Sequence, residues 1–155
     1  MSIKIDLKIF LFAIIFGFTK QIEIYALLMI LALIHECGHL VCGICLGLKP
    51  SSIKITPVGF QILFKNYIQD YNTKVRKGNE VCIKKIAIAF AGPLVNIFIA
   101  IIAFFMPQNM AISKETLIYA NLMLTMFNLL PIYPLDGGRI LKEIVAIKKR
   151  KKKGI

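Results

Sequence analysis

The sequence is poor in charged residues, and its 155 positions include only two histidines. Charged residues make up 18% of the chain and hydrophobic residues 57%, with a mean hydropathy of +0.72. So much apolar surface exceeds what one small soluble core can bury, and the composition indicates an integral membrane protein. No polar stretch is long enough for a separate soluble domain, so we expect residues 1–155 to form one unit. No small-residue cleavage site follows the first apolar run, which we expect to be retained.

Acidic residues are also scarce, which leaves a formal net charge of +12. The basic residues flank the apolar runs, as is typical of a protein held at an anionic membrane surface. No DNA-binding motif or aromatic stacking module accompanies them, so we expect no nucleic-acid partner. Cys42-Gly43-Ile44-Cys45 has C-x-x-C spacing but lacks the surroundings of a redox motif, and a disulfide scaffold is not typical of this class.

The apolar runs predict an all-α membrane protein with about four transmembrane helices. These runs lie at residues 10–18, 24–48, 86–106 and 115–130. The first is short and fits a tilted span or a re-entrant segment, whereas Pro50 is expected to stop the second. We expect residues 65–85 to be a solvated basic loop. A basic tail at about 148–155 is expected to be disordered or to lie on anionic lipid.

Three short runs have the two-residue periodicity of strands. Residues 3–9 alternate between apolar and charged, and the runs at 53–56 and 60–64 flank Pro57-Val58-Gly59, where a turn would make a β-hairpin. An ordinary amphipathic loop accounts for these residues equally well. The edge of such a hairpin would suit an extended peptide.

His35-Glu36-Cys37-Gly38-His39 has the pattern H-E-x-x-H inside the apolar run at 24–48. On a helix, positions i and i+4 share a face, so both histidines can bind one zinc ion. Glu36 then lies beside the metal, where it can take a proton from water. A polar contact between helices is the plainer interpretation, but ionisable residues in hydrocarbon are costly unless paired or metal-bound. We therefore expect one zinc ion per chain.

Two histidines leave a catalytic zinc one protein ligand short of three, with water in the fourth place. Asp136 is the best candidate, because it follows an apolar helix that Pro131 and Pro134 interrupt. Its alternative role is to cap a helix at 137–147, a position that aspartate favours. Asn96 is an amide within an apolar run, so it needs a hydrogen-bonding partner, either another helix or a bound peptide backbone.

The distribution of basic residues predicts an orientation. With both termini and residues 49–85 in the cytoplasm, 18 basic residues face that side, and only Lys20 and Lys114 face the other. This arrangement needs four crossings of the membrane. It places His39 and Asp136 toward the cytoplasmic ends of their helices, at the same depth.

Three motifs together resemble the site-2 protease family of intramembrane zinc metalloproteases. They are the H-E-x-x-H motif, Ala91-Gly92-Pro93-Leu94-Val95-Asn96, and Asn128-Leu129-Leu130-Pro131-Ile132-Tyr133-Pro134-Leu135-Asp136-Gly137-Gly138-Arg139. They occur in the family's order and cover nearly the whole chain. The likeness is to the compact bacterial branch, related to a sporulation protease that releases a membrane-tethered sigma factor, and it implies a location in a bacterial cell membrane. The chain differs in having no PDZ or CBS domain and few residues after Arg139.

The resemblance implies that His35, His39 and Asp136 hold zinc and that Glu36 is the general base. It further implies an endopeptidase that cleaves a peptide bond in or next to a transmembrane segment of a membrane-bound substrate. The lipid bilayer is an expected partner, as is a regulatory membrane protein or a second copy of the chain.

The resemblance also implies substrate contacts for Asn96 and for Gly59, the latter on a hairpin beside the active site. The alternative function is a catalytically idle zinc protein that binds and regulates a membrane partner. Glu36 argues against this alternative, because a structural zinc site closes with four ligands and needs no base. A metal transporter would need polar residues across the whole bilayer, whereas the polar groups here cluster at one depth.

Overall fold

A computed structural model describes residues 2–5, 8–48, 50–56, 59–64, 77–107 and 112–152. The described chain is mostly helical and carries one small sheet. Its elements, in chain order, are β1 (Ser2–Ile5), α1 (Lys8–Phe18), α2 (Ile22–Cys45), β2 (Pro50–Thr56), β3 (Gly59–Phe64), α3 (Lys77–Phe105), α4 (Lys114–Asn128) and α5 (Asp136–Lys152).

The sheet has the strand order β1–β2–β3. Strands β2 and β3 pair antiparallel, with Thr56 opposite Gly59, and the turn between them lies outside the described residues. Strand β1 pairs with β2 in parallel, and a parallel pair needs a long crossover, which α1 and α2 supply. Strand β3 also lies alongside α2. The sheet is therefore held against the helix that carries both histidines.

Helix α3 is central to the helical part, because it contacts α2, α4 and α5. Its buried positions hold small residues such as Ala89, Ala100 and Ala103, whereas Phe98 and Phe105 are 63% and 78% exposed. Small residues allow helix backbones to approach closely, and large apolar side chains on the outside suit contact with lipid. Among the described residues, Ile22–Cys45 and Gly78–Phe105 are helices long and apolar enough to cross a membrane.

Helix α2 was predicted to continue to residue 48, before a proline, but it ends at Cys45. The residue that terminates it is Gly47. Gly47 has a left-handed φ of +81°. Its N–H donates to the carbonyl of Ile44 at 2.9 Å, and the N–H of Leu48 donates to the carbonyl of Gly43 at 2.9 Å. This pair of bonds is the Schellman motif, which satisfies the last carbonyls of a helix and needs a left-handed residue.

The strand predicted at residues 3–9 is shorter in the structure. Strand β1 ends at Ile5, and helix α1 begins at Lys8 and continues through the short apolar run. This helix has 11 residues. At about 1.5 Å per residue it is roughly 16 Å long, about half the thickness of a bilayer's hydrocarbon core.

Two basic segments are helical where a loop or disorder was predicted. Of the loop predicted at 65–85, residues 65–76 lie outside the described residues and the rest is helical from Lys77, where α3 begins. The tail, predicted to be disordered or to lie on anionic lipid, is helical through Lys152 in α5, and its contact with lipid stays a prediction. Lysine and arginine favour helices, and their long side chains carry the charge into water while the backbone stays helical. Basic residues near a helix C-terminus also interact favourably with the helix dipole.

Replacing Gly47 by alanine should destabilise the protein by about 1–2 kcal/mol, because an L side chain disfavours the left-handed conformation. Gly17→Ala in α1 is the matched control, since a Cβ there meets no atom within 4 Å and Gly17 has no left-handed φ. The thermal unfolding midpoint in detergent should fall for Gly47→Ala only. Equal midpoints for the two variants would contradict the assignment of the cap.

Candidate metal centre

Three buried side chains from distant parts of the sequence meet inside the helical bundle. His35 and His39 lie one turn apart on α2, and Asp136 is the first residue of α5. His35 Nε2, His39 Nε2 and Asp136 Oδ2 lie 3.1 Å from one another in all three pairings. The exposed fractions of these residues are only 3–4%. Two imidazole nitrogens and a carboxylate oxygen thus face one small buried space, where they could hold a metal ion.

These separations fit the ligands of a zinc ion. Nitrogen and oxygen ligands lie about 2.0–2.2 Å from zinc, so two ligands of a tetrahedral site are roughly 3.3 Å apart. Two histidines and a carboxylate also form one of the ligand sets found in catalytic zinc sites, which leave the fourth position for water or substrate. Both the chemistry and the spacing of the donors therefore suit zinc.

Gly92 of α3 faces the two imidazoles. A Cβ built on Gly92 would lie 2.5 Å from His35 Nε2 and 2.5 Å from His39 Nε2. A methyl group in that place would occupy the room that an ion bound to both nitrogens needs. The absence of a side chain at position 92 is therefore a requirement of a metal site between these imidazoles.

The two carboxylate oxygens of Asp136 have different partners. Oδ2 faces the imidazoles, and Oδ1 accepts a hydrogen bond from Arg139 Nη1 at 3.4 Å. The carbonyl of Leu135 accepts the N–H of Arg139 at 3.0 Å, which makes Leu135 the capping position and Asp136 the first helical residue. The alternative prediction that Asp136 caps the helix is therefore wrong.

The second nitrogen of each imidazole contacts helix α3. His39 Nδ1 lies 2.6 Å from the carbonyl oxygen of Ile88 and 3.3 Å from the N–H of Gly92. A carbonyl oxygen can only accept, so the shorter distance indicates that Nδ1 carries the proton. A protonated Nδ1 has no lone pair left to accept the N–H of Gly92. His39 Nε2 is then left with a lone pair that can bind a metal. His35 Nδ1 lies 3.0 Å from the side-chain amide of Asn96.

Two of the other predicted site residues adjoin this group, and the third lies on the strand beside α2. Glu36 follows His35 on α2 and is half-buried. Asn96 is 0% exposed and contacts His35. Gly59 is the first residue of β3, the strand beside α2.

Three further residues at the site were not predicted as site residues. Arg139 could have been found, because residues three apart on a helix are neighbours and an arginine there can pair with Asp136. Gly92 lies in a quoted motif, but its contact with the imidazoles depends on how α2 and α3 pack. Ile88 acts through its carbonyl, which no pattern of side chains reveals.

Comparison with known proteins assigns the family. A model of peptidase family M50 matches residues 23–115 and 107–154. The chain belongs to peptidase family M50. A zinc metalloprotease of Methanocaldococcus jannaschii is 33% identical over 131 residues, which cover 81% of this chain and 35% of that protein. Stage IV sporulation protein FB of Bacillus subtilis is 27% identical over 126 residues, or 79% of this chain and 40% of that protein.

A solved structure also matches the fold. The site-2 protease from Methanocaldococcus jannaschii superposes with a TM-score of 0.70 at 29% identity, covering 97% of this chain and 71% of that one. The resemblance to the site-2 protease family inferred from the motifs is therefore confirmed. The family is membrane-embedded, which agrees with the two long apolar helices. The chain spans less than half the length of the two curated relatives.

Replacing Gly92 by alanine should remove most of the bound zinc, because the added methyl group would lie between the two imidazoles. Gly78→Ala, in the same helix, is the matched control: its Cβ would meet only the flexible side chain of Arg150. Zinc content of the purified proteins should be about one per chain for wild type and for Gly78→Ala. Full zinc content in a folded Gly92→Ala protein would contradict the placement of the metal beside residue 92.

Proposed function

We propose that this chain is a zinc endopeptidase that hydrolyses a peptide bond in or next to a transmembrane segment of a membrane-bound substrate. The observation that carries the proposal is the convergence of His35 Nε2, His39 Nε2 and Asp136 Oδ2 at 3.1 Å separations, with Glu36 adjacent on α2. Membership of peptidase family M50 and similarity to a zinc metalloprotease and a site-2 protease support it.

Asp136 and the two histidines are the proposed zinc ligands. Zinc held there supplies Lewis acidity, which polarises a carbonyl group and brings the pKa of water toward neutrality. Arg139 binds the outer carboxylate oxygen of Asp136, which orients the inner oxygen toward the imidazoles. The carbonyl of Ile88 orients the His39 ring in the same way. These outer contacts fix the direction of the ligand lone pairs.

Glu36 is the proposed general base. Its carboxylate takes a proton from the attacking water as the water oxygen bonds to the scissile carbonyl carbon. The same proton then passes to the amide nitrogen as the carbon–nitrogen bond breaks, so that the products are a carboxyl group and a free amine. One residue can serve both steps because it is a base in the first and an acid in the second.

A helical substrate must unwind before cleavage, because its carbonyls are otherwise bonded within the helix. We propose that strand β3, which begins at Gly59, holds the opened segment. Strand β3 is one of the two edge strands of the sheet within the described residues, and an edge strand can pair with an extended peptide. Its contact with α2, the helix of the two histidines, supports this role.

We further propose that the chain crosses the membrane four times as one unit, with both termini and the active site toward the cytoplasm. Helices α2 and α3 are long enough to span. Helices α1 and α4 have 11 and 15 residues and would need a locally thinner bilayer or flanking side chains that reach the interface. In this orientation 18 basic residues lie on the cytoplasmic side and two on the other side, which supports it.

Glu36→Gln should slow cleavage strongly while zinc remains bound, because the amide cannot take a proton. The loss should be on the order of 10²–10⁴-fold, which is typical for a general base. Asp136→Ala should instead lose both zinc and cleavage. Suitable substrates are single-span proteins labelled at both ends and reconstituted with the enzyme in proteoliposomes.

Cleavage by Glu36→Gln at the wild-type rate would refute the role of this residue. Wild-type protein that holds zinc but cuts none of a broad set of single-span substrates would favour a catalytically idle regulator instead.

A further inference from the structure

The buried side chain of Asn96 lies against one imidazole of the proposed metal site. Asn96 lies on α3, is 0% exposed, and has its amide 3.0 Å from His35 Nδ1. The amide nitrogen faces the imidazole, and the amide oxygen has no hydrogen-bond partner among the described residues. A buried amide with an unpaired oxygen is costly in apolar surroundings, so the favoured orientation of this amide depends on where His35 carries its proton.

A neutral histidine that binds a metal through Nε2 carries its proton on Nδ1. The Nδ1–H group is a donor, and its partner must accept. Rotating a terminal amide by half a turn exchanges its nitrogen and oxygen without changing its shape, and the hydrogen-bond network decides between the two. With Oδ1 of Asn96 toward His35, the oxygen gains a partner and His35 Nε2 presents a lone pair to the site.

His39 is arranged in the same way by the same helix. Its Nδ1 donates to the carbonyl of Ile88 at 2.6 Å, two turns before Asn96 on α3. Gly92, midway between them, faces both imidazoles. Residues at i, i+4 and i+8 share one face of a helix, so one face of α3 supplies an acceptor for each imidazole and the room between them.

We propose that Asn96 is a positioning residue: its amide oxygen accepts the Nδ1 proton of His35 and thereby holds this imidazole with Nε2 toward the metal. The proposal rests on the zinc site proposed above and replaces the predicted substrate contact of Asn96. Loss of such an outer partner typically weakens metal binding about 10–100-fold.

Asn121 offers a matched control in the same bundle. It is also 0% exposed with an amide oxygen that has no hydrogen-bond partner among the described residues. Its amide nitrogen, however, donates to the carbonyl of Leu117 on its own helix at 2.8 Å. Replacing Asn121 therefore removes an equally buried asparagine without removing a partner of either imidazole.

The test measures zinc affinity by competition with a chelator for wild type, Asn96→Leu, Asn96→Asp and Asn121→Leu. We expect Asn96→Leu to bind zinc about 10–100-fold more weakly. Asn96→Asp should stay within a few-fold of wild type, because its carboxylate oxygen accepts the same proton. Asn121→Leu should match wild type even if it lowers the unfolding midpoint.

The ring N–H protons of the two histidines give a second readout by NMR of the zinc-loaded protein. Since the chain has only two histidines, two downfield Nδ1–H signals are expected. Asn96→Leu should shift the His35 signal and leave the His39 signal, whose partner is Ile88, in place. A merely structural role for Asn96 would not single out one ring.

Unchanged zinc affinity in a folded Asn96→Leu protein overturns the proposal, and if cleavage is lost at the same time, Asn96 contacts substrate instead. Equal loss of zinc in the leucine and aspartate variants overturns it as well, because the acceptor oxygen would then not be what matters. If wild-type protein fails to bind zinc, the proposed function fails first and this inference falls with it.

Discussion

Three acceptor atoms meet at 3.1 Å separations, and the surrounding helices must hold them there. These atoms are His35 Nε2, His39 Nε2 and Asp136 Oδ2. With both imidazoles protonated at Nδ1, these atoms point lone pairs at one another. Such an arrangement is unfavourable in a buried site unless a cation lies among them. A zinc ion bound there would replace this repulsion by attraction and tie α2 to α5, so that metal binding would be linked to folding stability.

Helix α3 carries none of the proposed metal ligands, but it packs against both imidazoles. Ile88, Gly92 and Asn96 lie on the face toward the imidazoles, and the neighbouring Pro93 is fully buried. Pro93 has no backbone N–H and so removes one helical hydrogen bond from this stretch. Small residues elsewhere on α3 let its neighbours pack closely. The helix at the centre of the fold thus also contacts both imidazoles, which links packing in the bundle to the proposed chemistry of the site.

Much of this arrangement could be predicted from the sequence, because its signals are local. The spacing of His35 and His39 fixes their common face, and the apolar runs indicate α2, α3 and α4. Asp136 could be predicted as a ligand because it follows an apolar helix that prolines interrupt, and an aspartate in that place can point back into the bundle.

Other features depend on tertiary structure or on backbone groups. The partner of Asn96 depends on how α2 lies against α3, and the Ile88 contact involves a carbonyl that every residue has. The stop of α2 was missed because a single glycine in a left-handed conformation overrode the more obvious proline three residues later. Basic residues were taken as loop or tail, although they continue α3 and α5 as helices.

X-ray absorption spectroscopy of zinc in the purified wild-type protein tests the central claim most directly. The account predicts a coordination shell of nitrogen and oxygen at about 2.0–2.2 Å, with the multiple scattering of imidazole rings and no sulfur shell. Cys37, Cys42 and Cys45 lie on the same helix as the histidines and are the competing ligands. A sulfur shell at about 2.3 Å, or a spectrum without an imidazole contribution, would contradict the site built from His35, His39 and Asp136.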